Sequence, residues 1–249
     1  MTDPVVFLPG HLCTGALYAP QIAALAPRGV ATQVVMLTGQ DSMAGMAEAV
    51  LAQAPPRFAL CGLSMGGYVA FEVMRRAPGR ITRLALLDTT ARPDTPERAG
   101  VRRADISLVE QGGIEALLPD LPRRWLHPDR QRDPAWCERI YAMAREVGAE
   151  AQRRQACAIF GRRDDRRVLA SIAAPTLVLC GAEDIATPPD AHREMAEAIP
   201  GARLEIIEGC GHLSTLEAPE AVTEALERWL GLRPARAARG AQRGRPRRR

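Results

Sequence analysis

Short, largely apolar runs of four or five residues recur along the chain, and most are followed within two residues by glycine, proline or aspartate. Runs of this length with such ends are typical of buried strands. Segments of ten to twelve residues with the spacing of amphipathic helices lie between or after several of them. The predicted strands are 5–8, 34–37, 57–61, 84–87, 176–180 and 203–207, and the predicted helices are 43–54, 66–76, 189–198 and 219–229.

The alternation of strands and helices predicts an α/β fold, with a mostly parallel, doubly wound sheet. One long segment, 91–169, interrupts this pattern because it is rich in arginine and contains no strand-like run. We expect it to form short helices, separated at Pro119, Pro122, Pro128 and Pro134. The predicted organisation is a core formed by 1–90 and 170–231, a helical cap formed by 91–169, and a tail from 232 to 249.

The tail carries most of the excess positive charge. Eight of the 33 basic residues lie in 233–249, which contain no acid, although the chain as a whole has 29 acids and a net charge of +4. A segment of Arg, Ala, Gly and Pro without apolar periodicity is predicted to be disordered. Because aromatic residues do not alternate with the arginines, we expect no specific nucleic-acid partner.

The composition excludes several broad classes of protein. Hydrophobic residues make up 47% of the chain and charged residues 25%, which excludes disorder of the whole chain. No apolar run approaches the ~18 residues of a membrane span, and Met1–Pro4 do not begin a secretory signal, so a cytoplasmic location is predicted. None of the six cysteines forms a C-x-x-C pair, and we predict neither a metal site nor a cofactor.

The segment Gly62-Leu63-Ser64-Met65-Gly66 matches the pattern G-x-S-x-G and lies between a predicted strand and a predicted helix. A serine on such a turn points its hydroxyl away from the sheet, and the flanking glycines relieve crowding of the backbone. The N-terminus of the following helix also directs its positive end toward the serine oxygen. Ser64 is therefore the candidate nucleophile.

The segment 62–70, GLSMGGYVA, resembles the nucleophile elbow of the α/β-hydrolase fold superfamily. Three further segments resemble the family's oxyanion loop, the end of its acid-bearing strand and its histidine loop: Leu8-Pro9-Gly10, 179–184 (LCGAED) and 209–212 (GCGH). The resemblance covers about 4–230, starting at the family's third strand, so its N-terminal hairpin is expected to be missing. The family's His-Gly pair in the oxyanion loop is Pro9-Gly10 here.

This resemblance implies a role for each matching residue. Ser64 would be the nucleophile, His212 the base that removes its proton, and Asp184 the acid that orients the imidazole. Asp88 also ends a predicted strand and remains an alternative acid. The oxyanion donors would be the backbone N–H groups of Met65 and of His11, with Leu12 as the alternative to His11.

The expected function is hydrolysis of a small carboxylic ester through an acyl-enzyme. The same triad also supports lactone or carbon–carbon bond hydrolysis, perhydrolysis and lyase chemistry, and an inactive binding protein with a basic tail is the alternative from another class. The expected partner is a small ester-type molecule, and the sequence does not specify the oligomeric state. We expect the cap to enclose an apolar cavity above Ser64. His192 is expected on a solvated helix face, beside Arg193 and Glu194.

Overall fold

The computed structural model describes residues 3–232. Its strands are β1 (Val5–Leu8), β2 (Thr32–Val34), β3 (Phe58–Leu63), β4 (Ile81–Leu87), β5 (Thr176–Gly181) and β6 (Arg203–Ile207). They form one sheet in the order β2-β1-β3-β4-β5-β6, and every neighbouring pair is parallel. The predicted parallel α/β fold is therefore confirmed.

Helices of very different lengths connect the strands. They are α1 (Ala19–Leu25), α2 (Met43–Gln53), α3 (Met65–Arg76), α4 (Pro96–Gly112), α5 (Leu121–Trp125), α6 (Pro134–Phe160), α7 (Pro189–Ala198), α8 (Ser214–Glu217) and α9 (Pro219–Trp229). The four helices predicted outside the cap are present within one residue of their expected ends. Helix α1 was not predicted.

Successive residues of a strand point to opposite faces of the sheet, and in these strands both faces are apolar. Both faces are therefore covered by other parts of the chain. Val5 and Phe7 of β1 belong to the hydrophobic cluster that includes residues of α9 and the cap. Val6 and Leu8 of the same strand belong to the cluster that includes residues of α2, α3 and α7. This alternation places β1 and β3 in the fully buried centre of the sheet.

Between β4 and β5 the chain forms α4, α5 and α6, within the segment 91–169, which we call the cap. The prediction of short helices is wrong for α4, which has 17 residues, whereas the 27 residues of α6 form two helical segments on either side of Gly148. Pro134 does not break α6 but begins it, at a position where the missing N–H costs no hydrogen bond. Helix α6 is kinked at Gly148, where φ is 77°.

The edge strand β2 differs from its prediction. The apolar run 34–37 suggested a strand there, but pairing with β1 ends at Val34. The N–H of Val35 still donates to the carbonyl of Phe7 at 3.0 Å, just beyond the last paired residue. Val35 and Leu37 are buried in the cluster on the α2 side, so the apolar run reflects burial beside the sheet more than strand pairing.

Leu232, the first residue of the predicted tail, is in contact with the folded core. Its N–H donates to the carbonyl of Glu227, so it belongs to the end of α9. The remainder of the predicted tail, 233–249, lies outside the described residues. Within 3–232, no helix has the length and apolar character that crossing a membrane would require.

Candidate active site

Ser64 lies on a sharp turn between β3 and α3. Its φ of 54° and ψ of −114° are strained for a residue with a Cβ atom. The turn requires close approach of the backbone, since a Cβ atom at Gly62 would lie 2.3 Å from the carbonyl oxygen of Gly66. A Cβ atom at Gly66 would lie 2.0 Å from the carbonyl oxygen of Leu8. The glycines of the motif thus permit the turn that presents the serine.

Three residues distant in sequence come together at this turn. Nε2 of His212 lies 3.0 Å from Oγ of Ser64, and Nδ1 of His212 lies 2.8 Å from Oδ2 of Asp184. Because a carboxylate can only accept, Nδ1 carries the hydrogen and Nε2 accepts from the serine hydroxyl. The predicted nucleophile, base and acid therefore form one continuous chain of hydrogen bonds.

The carboxylate of Asp184 is held on both oxygens. Oδ1 accepts the N–H groups of Ala186 at 2.8 Å and Thr187 at 2.9 Å, and Oδ2 also accepts the Thr187 hydroxyl at 2.8 Å. Burial would raise the pKa of Asp184, but the charge and hydrogen bond of His212 outweigh it, and the pKa lies below its ordinary value. Asp184 is therefore held as a carboxylate.

His212 is nearly buried, at 4% exposure. Burial alone would lower the pKa of its imidazole, but the charge and the hydrogen bond of Asp184 outweigh burial and raise that pKa above its usual value. The cap also holds the loop that carries His212, since the N–H of His212 donates to the carbonyl of Trp125 at 2.8 Å. His212 is thus held from two sides, by Asp184 and by the cap.

Asp88, the alternative acid, has other partners. Its Oδ1 accepts the N–H of Gly181 at 3.2 Å, and its Oδ2 accepts the N–H and the hydroxyl of Ser214 at 3.2 and 2.5 Å. Burial, followed by the charge of Asp184, raises the pKa of this carboxyl well above its ordinary value. Asp88 thus joins the ends of β4 and β5 to α8, and it makes no hydrogen bond to His212.

Three backbone N–H groups are candidate oxyanion donors, those of Met65, His11 and Leu12. Met65 is the first residue of α3, where an N–H has no acceptor within the helix. The N–H of Leu12 donates to Oε1 of Gln155 at 3.0 Å, whereas that of His11 has no acceptor among the described residues. The geometry thus leaves Met65 and His11 with N–H groups free for a ligand.

Ser64 and His212 line a cavity of about 330 Å³ between the core and the cap. Of the apolar cap residues, Val101, Leu117, Leu121, Trp125 and Ile159 line it. Gly10, His11 and Cys13 contribute from the oxyanion loop, and Ile185, Ala186 and Thr187 from the loop after Asp184. The volume is at the lower end of the roughly 300–1,000 Å³ typical of ligand pockets.

Some supporting residues carried no sequence signal. The hydroxyl of Thr187 donates to the carboxylate of Asp184, and Gln155 of α6 accepts the N–H of Leu12. Glu217 is 7% exposed and accepts the N–H groups of Gly211 at 3.1 Å and His127 at 2.8 Å. Gln155 and Glu217 bond partners that are distant in sequence, Leu12 and His127, so they form no local motif. Thr187 lies only three residues after Asp184, and its contact is a local turn.

The expectation for His192 is wrong. The side chain is fully buried, and its Nε2 accepts the N–H of Thr89 at 2.9 Å while Nδ1 lies 3.2 Å from the carbonyl of Pro188. Burial lowers the pKa of His192 to about 4. The buried face of α7 includes Met195, three positions along, so the spacing could have placed His192 there.

No group of three or more His, Cys, Asp or Glu side chains within 3–232 is arranged to hold a metal ion. The six cysteines all lie in this range as free thiols. Burial raises the pKa of Cys13, which lines the cavity, to about 12, so this thiol is not a competing nucleophile at neutral pH.

Comparison with known proteins agrees with the fold and identifies the family. The family described as alpha/beta hydrolase fold matches residues 38–219. A thermophilic esterase from Thermogutta terrifontis, solved with malate bound, superposes with a TM-score of 0.83 at 30% identity, over 92% of this chain and 89% of that one. The enol-lactonase from Burkholderia xenovorans LB400 superposes with a TM-score of 0.80 at 28% identity, over 93% of this chain and 92% of that one.

A curated relative is the pimeloyl-acyl-carrier-protein methyl ester esterase of Nitrosomonas europaea, which is 28% identical over 72% of this chain and 74% of its own length. The family match spans well over half of the chain, and the sheet, the helical layers and the serine turn are those that the resemblance implied. The chain belongs to the alpha/beta hydrolase fold family.

Proposed function

We propose that this hydrolase cleaves a small carboxylic ester through an acyl-enzyme, with Ser64 as nucleophile, His212 as base and Asp184 as acid. The observation that carries the proposal is the pair of hydrogen bonds, 3.0 Å from Ser64 to His212 and 2.8 Å from His212 to Asp184, in the wall of a cavity. These two hydrogen bonds have the geometry that general-base activation of a serine requires.

In the first step, Nε2 of His212 takes the hydroxyl proton as Oγ of Ser64 attacks the ester carbonyl. The N–H groups of Met65 and His11 donate to the oxyanion of the tetrahedral intermediate, each contributing about 3 kcal/mol in comparable enzymes. The intermediate then collapses, and His212 returns its proton to the departing alcohol. The carboxylate of Asp184 stabilises the imidazolium throughout.

In the second step, water attacks the acyl-enzyme. His212 takes a proton from the water, a second tetrahedral intermediate forms at the same N–H groups, and Oγ of Ser64 leaves with the proton. The balance is one ester and one water consumed, with one carboxylic acid and one alcohol released. No other reactant is needed.

The choice of Asp184 over Asp88 rests on the bond to Nδ1 and on charge. Asp184 has the lowered pKa of a paired carboxylate, whereas the pKa of Asp88 is raised and its oxygens bond Gly181 and Ser214. The complete triad also argues against an inactive binding protein.

We propose that the cap selects the substrate, since it supplies much of the cavity wall. A volume of about 330 Å³ favours a short acyl group. Lactone hydrolysis is a second candidate, supported by the enol-lactonase from Burkholderia xenovorans LB400 at 28% identity. A lactone is a cyclic ester, so the same steps apply, with the leaving alcohol remaining attached to the acyl group.

The proposal is tested by replacing Ser64. We expect Ser64→Ala to lower hydrolysis of p-nitrophenyl acetate and butyrate by about 10³-fold or more, with an unchanged unfolding midpoint. A fluorophosphonate probe should label the parent protein but not the variant. Ser171→Ala is the matched control, because the Ser171 hydroxyl is exposed, bonds only the carbonyl of Val168 and does not line the cavity. Equal turnover by Ser64→Ala and the parent would refute the proposal.

A further inference from the structure

Charged side chains of the cap enter the wall of the catalytic cavity. Five of them line it, from α4 and α5: Glu97, Arg98, Arg102, Asp105 and Arg124. Charge in such a small cavity is costly unless it is paired or has a ligand to bind. The partner of each group therefore indicates what the cavity accommodates.

Two of the three arginines are paired within the protein. Nε of Arg102 lies 2.7 Å from Oδ2 of Asp94. Arg124 binds both carboxylate oxygens of Asp105, at 2.7 and 3.0 Å. These pairs neutralise Arg102, Arg124 and Asp105. The charged groups of the cavity wall that they do not include are Arg98 and Glu97.

Arg98 has no carboxylate partner among residues 3–232. Its guanidinium donates through Nη2 to the backbone carbonyl of Ala186, two residues after the acid of the triad. An arginine has five N–H donors, so this bond leaves others for a ligand. The bond also places the guanidinium beside the loop that carries Asp184.

Glu97 does not neutralise this arginine. It is exposed, and its own backbone N–H and the Thr95 side chain lower the pKa of its carboxyl. A carboxylate in the first turn of a helix is also stabilised by the helix dipole. No ion pair joins Glu97 to Arg98 within the described chain.

The two histidines of the cavity wall also respond to the cap arginines. Burial, then the charges of Arg102 and Arg124, lower the pKa of His11 to about 3. The charge of Arg98 acts in the same direction on the pKa of His212, against the stronger effect of Asp184. Positive potential thus extends from the cap to the reacting groups.

We propose that the substrate is an ester carrying a carboxylate within a few bonds of the scissile group, and that Arg98 binds this carboxylate. A guanidinium is suited to this because its planar N–H groups match the two oxygens of a carboxylate. Val101 and Ile185, which are 51% and 69% exposed, line the same cavity and supply apolar contacts for the short linker. This inference rests on the proposed function and defines its substrate class.

The test compares anionic esters with neutral analogues of the same shape. Monomethyl glutarate carries its carboxylate on the acyl part, and 4-acetoxybutanoate carries it on the alcohol part. Methyl 4-carbamoylbutanoate and 4-acetoxybutanamide replace each carboxylate by an uncharged amide. We expect kcat/KM to favour at least one anion over its amide by about 10- to 100-fold. Which pair shows the preference identifies the part of the ester that Arg98 contacts.

Three variants assign the preference to Arg98. At a pH above the acid limb of the activity profile, Arg98→Gln should remove the preference by lowering kcat/KM for the anion alone, and Arg98→Lys should restore part of it. Arg123→Gln is the matched control, because it removes a cap arginine that is 72% exposed, bonds Asp120 and does not line the cavity. Calorimetric titration with glutarate should show weaker binding to Arg98→Gln than to the parent, which is a readout independent of turnover.

Two results would overturn this inference. They are the absence of any anion preference in the parent, and an equal loss for anion and amide in Arg98→Gln with unchanged glutarate binding. Turnover of the amide esters without an anion preference would leave the proposed function standing. Failure of all four esters, with Ser64 unlabelled by a fluorophosphonate, would refute both.

Discussion

Oε1 of Gln155, on the longest helix of the cap, accepts the backbone N–H of Leu12 at 3.0 Å. The amide nitrogen of the same side chain donates to the carbonyl of Leu37 at 3.0 Å. Leu12 has a positive φ of 57°, and it follows His11, one of the two proposed oxyanion donors. One cap side chain thus fixes the shape of the loop beside the proposed nucleophile, Ser64.

Replacing Gln155 by leucine should therefore affect both stability and catalysis. The variant leaves the N–H of Leu12 and the carbonyl of Leu37 unpaired, at a cost of about 1–3 kcal/mol each in unfolding free energy. The loop should also lose its fixed shape, so kcat should fall while KM changes less. Urea unfolding and steady-state kinetics with a p-nitrophenyl ester measure the two effects.

Gln152 provides the control, one turn earlier on the same helix. It is fully buried, and neither atom of its amide has a hydrogen-bond partner among the described residues. Gln152→Leu should leave the unfolding free energy unchanged or higher, because it removes an unpaired buried polar group. Equal destabilisation by the two variants would argue against the specific role of Gln155.

The two buried aspartates should respond differently to the same change. Asp184→Asn should lower kcat about 10⁴-fold, as loss of the acid does in comparable triads. Asp88→Asn should leave kcat within about tenfold but lower the unfolding free energy by about 1–3 kcal/mol, because it disturbs the bonds to Gly181 and Ser214. A larger fall in kcat for Asp88→Asn than for Asp184→Asn would assign the acid to Asp88.

Most strands and the serine turn were predictable because their signals are local. The β3 strand is a continuous apolar segment, and the glycines around Ser64 are required by contacts within the motif and with β1. The order of Ser64, Asp184 and His212 came from the family resemblance. The sequence alone offered no distance by which to choose between Asp184 and Asp88.

The cap could not be built from its sequence. The prolines suggested breaks, but Pro134 begins α6, and the interruption of that helix lies at Gly148. Gln155 follows Arg153 and Arg154, and such a polar run gives no indication of burial, yet Gln155 is 1% exposed. Arg98 gave no sign of lining a cavity, because its position depends on how α4 packs over a loop more than eighty residues away.

Gly66→Ala should be among the most destabilising single-methyl additions in the core. The new Cβ would lie 2.0 Å from the carbonyl oxygen of Leu8, so the backbone of β1 or α3 would have to move. We expect a loss of about 3 kcal/mol or more in unfolding free energy, together with loss of the proposed esterase activity. Gly79→Ala is the control, since nothing lies within 4 Å of its Cβ position and its unfolding free energy should change little. Comparable midpoints for the two variants in urea would contradict the close approach.

The pH dependence of kcat/KM should follow the ionisation of His212. The neutral imidazole is the active form, so activity should rise with pH through the pKa of His212, which Asp184 holds above its usual value. Arg98 opposes Asp184, because its positive charge disfavours a second positive charge on the imidazole. Arg98→Gln should therefore raise the pKa of His212 and move the acid limb of the profile to higher pH. The measurement uses a neutral ester, so that loss of carboxylate binding does not contribute, and Arg123→Gln should leave the limb in place. A shift of the limb to lower pH in Arg98→Gln would contradict the placement of this guanidinium beside the triad.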